Sequence, residues 1–224
     1  MSRSGYYQAM RTLALEKRAK YKIATASLNL RSIQHVYKEE GIRIDLRDMK
    51  CSRIRAAYFC DNNDYSVLVN KNLPREPKLF ALVHELKHHF ADRETIQNGQ
   101  IKCGDYNANE IIEIGAEVFA AEFIYPETEM QELATHLGIT NHTCLPESVV
   151  QFKRACPVPV SYKFIVKRFE WFGFCAPGQF KQERFQKLEE KLHGIPIYKQ
   201  PWFQRHRLKK KAQSLVLGKS DRTG

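Results

Sequence analysis

Residues 84–88 read His-Glu-Leu-Lys-His. Histidines four apart project from one face of a helix, close enough for both imidazoles to hold one zinc ion. Glu85 lies about 100° around such a helix, beside that face, where its carboxylate can take the proton of a metal-bound water. With 8 His among 224 residues, chance supplies roughly 0.02 such patterns per chain. The pattern is therefore read as chemistry and not as solvated histidines on an amphipathic helix. His89 falls outside the four-residue spacing and is read as a surface residue or a support for the ligands.

A catalytic zinc needs a third protein ligand and keeps its fourth position for water. The residues after His88, His89-Phe90-Ala91-Asp92-Arg93-Glu94, contain no further histidine at helical spacing. The next candidates are Glu110, Glu113 and Glu117, three and four apart on a predicted helix. Pattern alone does not rank them, and a solvated acidic stripe is the plain alternative. Gly115, Ala116, Ala120 and Ala121 lie on the same helix. Residues that small let another helix approach closely, which would bring a carboxylate to the metal.

The elements that must position these groups can be read from periodicity. The zinc-motif helix spans Lys78 to Ala91, with Leu79, Val83, Leu86 and Phe90 on one apolar stripe and Pro74 and Pro77 marking its approach. The acidic helix spans Glu110 to Ile124 and stops at Pro126. Upstream, helices are predicted over 6–22, where Lys17 lies along the apolar face by its stem, and over 28–40, ended by Gly41. Ile42, Ile44 and Leu46 alternate with charged residues as in a strand. Residues 53–60 and 65–69 flank the tetrad Asp61-Asn62-Asn63-Asp64, which reads as a hairpin. Downstream, two helical segments fill 145–173, broken at Pro157 and Pro159, in a length that suits a helix-turn-helix. Leu188 and Leu192 allow one more short helix.

The composition is that of an ordinary globular chain: 43% hydrophobic, 27% charged, with 11 Gly and 9 Pro. No apolar run nears the roughly 18 residues of a membrane span, and residues 1–22 have no apolar leader core, so a cytoplasmic protein is expected. Six cysteines lack any CxxC pair and read as structural thiols. The net charge of +11 is uneven: +5 over residues 1–22, +8 over 181–224 and −2 between them. The basic ends, including Arg205 to Lys211, could touch nucleic acid or an acidic partner.

The stretch EIGAEVFAAEFIYP, Glu113 to Pro126, resembles the second motif of the ImmA/IrrE family of zinc metallopeptidases, E-x-E-A-N-x-F-A-A-x-x-L-M-P. The run ALVHELKHHF, the strand before it and VSYKFIVKRFEWFG also look like that family, over about residues 28–175. Departures are Gly115 and Glu117 where the family often has Glu and Asn, Lys87 where it usually has Gly, and Tyr125 in place of Met. Residue-wise carry-over then gives His84, His88 and Glu113 as metal ligands and Glu85 as general base. Glu117 would orient a histidine ring.

The resemblance implies an α+β zincin-like fold, mostly helical with a small antiparallel sheet. The metallopeptidase domain would span 1–180, followed by a basic extension over 181–224. It also implies zinc, with manganese as a substitute, and a function: cutting a helix-turn-helix repressor of the XRE type to induce stress-response or mobile-element genes. A peptide would add as a strand near Tyr65 to Val69. Tyr106 and His136 are candidates for the oxyanion stabiliser. Two other classes compete. A DNA-associated protease of the SprT-like kind would want a third histidine such as His136 or His142 and a four-cysteine ribbon, which these cysteines do not space. A DNA-binding regulator with a structural metal would rest on residues 145–173 and the basic tail.

Overall fold

Ser2 opens the first helix, α1 (Arg3–Lys20), by accepting a hydrogen bond from the Gly5 N–H. In the computed structural model the described residues are 2–49, 54–99 and 110–194. The second helix, α2 (Leu30–Glu39), starts in a reciprocal cap, where Asn29 accepts from Ser32 N–H and Ser32 Oγ accepts from Asn29 N–H. Gly41 ends it at a φ of 67°, a left-handed conformation that glycine enters freely.

Three strands follow: β1 (Ile42–Arg47), β2 (Ala56–Asp61) and β3 (Asp64–Asn70). Asn62 and Asn63 both have positive φ, 43° and 65°, as a two-residue hairpin between twisted strands requires. That turn makes β2 antiparallel to β3. β1, however, pairs parallel to β3, so the sheet is mixed with order β1-β3-β2, not antiparallel as expected. Alternating residues mark a strand but carry no information on a neighbour's direction. β1 lies on the far side of β3 from β2.

The segment that carries His84 and His88 forms α3 (Arg75–Lys87), entered from Pro74, then widens into a π turn over His88–Asp92 and continues as α4 (Arg93–Gln97). The acidic helix is α5 (Glu110–Ile124), at its predicted bounds. Next comes α6 (Glu127–His136), absent from the periodicity reading although Met130, Leu133 and Ala134 have helical spacing. The helices α7 (Pro146–Ala155) and α8 (Tyr162–Phe172) follow as predicted, α8 capped by Ser161 and ended by Gly173 at a φ of 73°. The last described helix, α9 (Phe185–His193), falls within the stretch expected to be a basic extension, yet it packs on the domain. Glu189 accepts from Tyr162 Oη at 2.7 Å, and Phe185 stacks on the Tyr162 ring. The basic run 205–211 lies outside the described residues.

The core joins Ile33, Val36 and Tyr37 of α2, Val67 and Val69 of β3, Leu79, Val83 and Leu86 of α3, and Phe119 and Phe123 of α5, all fully buried. Each such side chain stabilises the fold by about 1.5–3 kcal/mol relative to exposure. The shared core fixes α3 between the sheet and α5. α1 lies along the other side of α5, where a Cβ on Gly115 would meet the Tyr6 ring at 2.5 Å. The close approach expected at the small residues therefore includes α1 as well as the metal-motif helix. Arg18, buried on α1, donates to the Phe123 carbonyl at 2.5 Å and to Thr25 Oγ1 at 2.7 Å, tying α1 to the end of α5.

Candidate metal centre

One face of α3 meets the start of α5, and three side chains converge there. His84 Nε2 lies 3.1 Å from Glu113 Oε2, while His88 Nε2 lies 3.4 Å from His84 Nε2 and 3.8 Å from Glu113 Oε1. One ligand atom from each lies within 4.8 Å of the others, the one such group among the described residues. Two imidazole nitrogens and one carboxylate suit zinc with a fourth position left for water. The three acids of α5 separate by burial: the Glu113 side chain is 6% exposed, Glu117 39% and Glu110 55%.

His88 is oriented from behind. Its Nδ1 donates to Asp92 Oδ2 at 2.7 Å, which leaves the Nε2 lone pair facing the cluster. The fully buried Lys87 donates to the same Asp92 oxygen at 2.6 Å and to the Ile112 carbonyl at 3.2 Å. Asp92 thus orients a ring as Glu117 was expected to do. Glu117 instead pairs with Lys167 at 3.1 Å. Asp92 was not singled out from the sequence, although its place four residues after His88 is the available signal.

Glu85 is buried beside the cluster, and its Oε2 has no hydrogen-bond partner among the described residues. Burial pushes its carboxyl above the ordinary range. The His84 and His88 rings pull the other way, Glu113 adds to the rise, and a hydrogen bond from the Tyr58 backbone N–H opposes it. For His84, burial lowers the imidazole, but the bond to Glu113 and the charges of Glu85 and Glu117 outweigh it and leave the ring raised. Two imidazoles and one buried carboxylate, each offering a ligand atom within 4.8 Å of the others, are a donor set that a divalent cation would satisfy, so the residues fit a metal.

The remaining candidates lie elsewhere. His89 is buried, not at the surface, and hydrogen-bonds Tyr58 Oη at 2.9 Å and Glu40 at 3.3 Å. His136 and His142 are exposed and outside the cluster. Tyr106 lies outside the described residues. β3, expected to receive a peptide at Tyr65 to Val69, is the central strand with both neighbours in place, so it cannot accept another. Among the described residues the edge strands are β1 and β2, and β2 is the strand whose Tyr58 N–H reaches Glu85.

The model of the IrrE N-terminal-like domain, Peptidase_M78, matches residues 38–169, more than half of the chain. The chain belongs to this family. No curated protein matches it. The IrrE N-terminal-like span runs from the end of α2 into α8 and so contains the sheet, α3 and α5. α1 and α9 lie outside the span yet pack against elements within it. Membership makes this a metallopeptidase-family domain and implies a metal, for which His84, His88 and Glu113 are the fitting group. Among the described residues no helix is long and apolar enough to cross a membrane.

Proposed function

We propose that the chain is a zinc-dependent endopeptidase, with His84, His88 and Glu113 as metal ligands and Glu85 as general base. The convergence of the three ligand atoms beside a buried, unpartnered Glu85 oxygen carries this reading. Bound zinc would supply a Lewis acid for the scissile carbonyl and a water with a pKa near about 7; manganese would suit the same donors. Glu85, raised by burial, takes the proton from the attacking water and hands it to the leaving amine. Asp92 holds His88 in the tautomer that presents Nε2. The edge of β2, whose Tyr58 N–H reaches Glu85, is the place for an extended peptide.

The substrate class follows from the family resemblance: a helix-turn-helix repressor of the XRE type in the cytoplasm, its cleavage inducing stress-response or mobile-element genes. The metallopeptidase domain is drawn over 1–180 with 181–224 as a basic extension, whose α9 packs back on the domain. The cations of α1 do not favour a nucleic-acid role. Arg11 pairs with Glu127, Arg18 with Glu129 and Lys20 with Glu40, while Lys17 lies over the Phe90 ring.

The test is Glu85→Gln. This variant should keep its zinc by elemental analysis and lose cleavage of a helix-turn-helix repressor from the same genome, or of an unstructured protein, by about 10²–10⁴-fold. Cleavage at the wild-type rate with zinc bound would refute the mechanism.

A further inference from the structure

A cavity of about 450 Å³ lies between α3, α5 and α8. It begins one helical turn from the metal cluster on two elements at once. Phe80 precedes His84 by four residues on α3, and Glu117 follows Glu113 by four on α5; both line the cavity. Each therefore lies over the same face as its ligand, about 6 Å further along the axis. Glu117 is near enough to act on the His84 ring by charge. On both helices the cavity thus adjoins the metal site.

Its interior is apolar, built from Phe80, Ile114, Val118 and Ala121. Trp171 is 59% exposed, a large aromatic surface left open at the mouth, and the Arg11 guanidinium stacks on it at 4.5 Å. The charges at the rim do not cancel. Lys167 pairs with Glu117, Arg168 with Glu122 and Glu76 with Lys153. Arg55 and Lys163 line the rim, are exposed and enter no ion pair among the described residues.

From this geometry we infer that the cavity is the specificity pocket of the proposed peptidase. It seats a large apolar side chain, aromatic or long aliphatic, next to the scissile bond. Arg55 and Lys163 receive an acidic residue that flanks it. The inference rests on the peptidase reading and adds the substrate's local chemistry. The volume suits a bulky side chain with part of its neighbour, and an apolar floor under two uncancelled cations matches an acidic, apolar peptide segment.

The experiment uses the zinc-loaded full chain and fluorogenic peptides that differ only at the positions flanking the scissile bond, Phe against Ala, and at the next position, Glu against Lys. Phe should exceed Ala by at least about 10-fold in kcat/KM, and Glu should exceed Lys. Ala121→Trp, which fills the floor, should bring the Phe preference to about twofold or less with zinc content unchanged. Lys163→Glu, an exposed change that leaves the core alone, should reverse the Glu-over-Lys preference. Equal rates for Phe and Ala in the wild type overturn the pocket. So does a Phe preference that survives Ala121→Trp, or a Glu preference that survives Lys163→Glu. If the zinc-loaded chain cuts none of these peptides and no unstructured protein, the peptidase reading fails. Binding of the same peptides, followed by Trp171 fluorescence with Trp171→Phe as control, then decides the pocket. Tighter binding of Phe than Ala peptides supports it, and equal binding overturns it.

Discussion

His88 and His89 are neighbours in sequence, both are buried, and each is bonded to a carboxylate, yet they belong to different chemistry. Both ring nitrogens of His89 are occupied, Nδ1 by Tyr58 Oη and Nε2 by Glu40. Glu40 is in turn held by Lys20 at 2.6 Å and by the Tyr21 hydroxyl. That network ties α1 and α2 to the sheet and closes on itself. On the other side of the helix His88 bonds Asp92 through Nδ1, while its Nε2 faces His84 Nε2 at 3.4 Å and Glu113 Oε1 at 3.8 Å. A buried histidine with a carboxylate partner is thus no mark of a site. What distinguishes the metal side is that ligand atoms of three residues, two rings and a carboxylate, converge within 4.8 Å of one another.

The sharpest way to break this contrast is at the ligands. Glu113→Ala should purify largely without zinc and be inactive, whereas Glu117→Ala, which removes a pair with Lys167 and a charge near His84 but no ligand atom, should retain metal; elemental analysis of the two proteins decides. If zinc survives the first change and disappears in the second, the ligand is one helical turn away.

The support behind His88 gives the next effect. Asp92→Asn should weaken zinc binding by about 10–100-fold in competition with a chelator. It also leaves the buried Lys87 ammonium without its carboxylate, a loss on the order of 3–5 kcal/mol. Adding Lys87→Met to that variant should restore much of the stability to denaturant but not the zinc affinity. Recovery of affinity would show that Lys87, and not Asp92, sets the ring.

On the closed side, His89→Leu should cost about 1–3 kcal/mol, because Tyr58 and Glu40 lose a buried partner. Its zinc content should equal that of the wild type. A zinc-deficient His89→Leu protein would erase the distinction between the two histidines.

The smallest effect is a pH dependence. Burial alone would raise the Glu40 carboxyl, but hydrogen bonds from Lys20, Tyr21 and His89 outweigh it and hold it at about 2, below the ordinary 4.5. A depressed folded-state value contributes stability that is present above pH 4.5 and lost as the pH falls toward 2. The urea midpoint of the wild type should therefore exceed that of Glu40→Gln most at pH 6, and the gap should shrink between pH 4.5 and 2. A gap that stays constant would place the contribution in packing and not in charge.

The local rules of the chain determined much on their own. Four-residue spacing placed His84 and His88 on one face, the apolar stripe from Leu79 to Phe90 gave α3 its buried side, and Pro126 stopped α5 where expected. The Asn62-Asn63 turn made the hairpin. These features depend on neighbours within a few residues, so periodicity and turn chemistry reveal them. The tertiary structure decided what needs distant residues in one place. Glu110, Glu113 and Glu117 share a stripe, and only the packing of α5 on α3 turned Glu113 into the cluster and left the others with Lys and Arg partners. The direction of β1, the burial of His89 and the role of Asp92 were decided the same way. A strand's alternation is the same beside either neighbour, and a side chain's partner is set by which elements the core brings together.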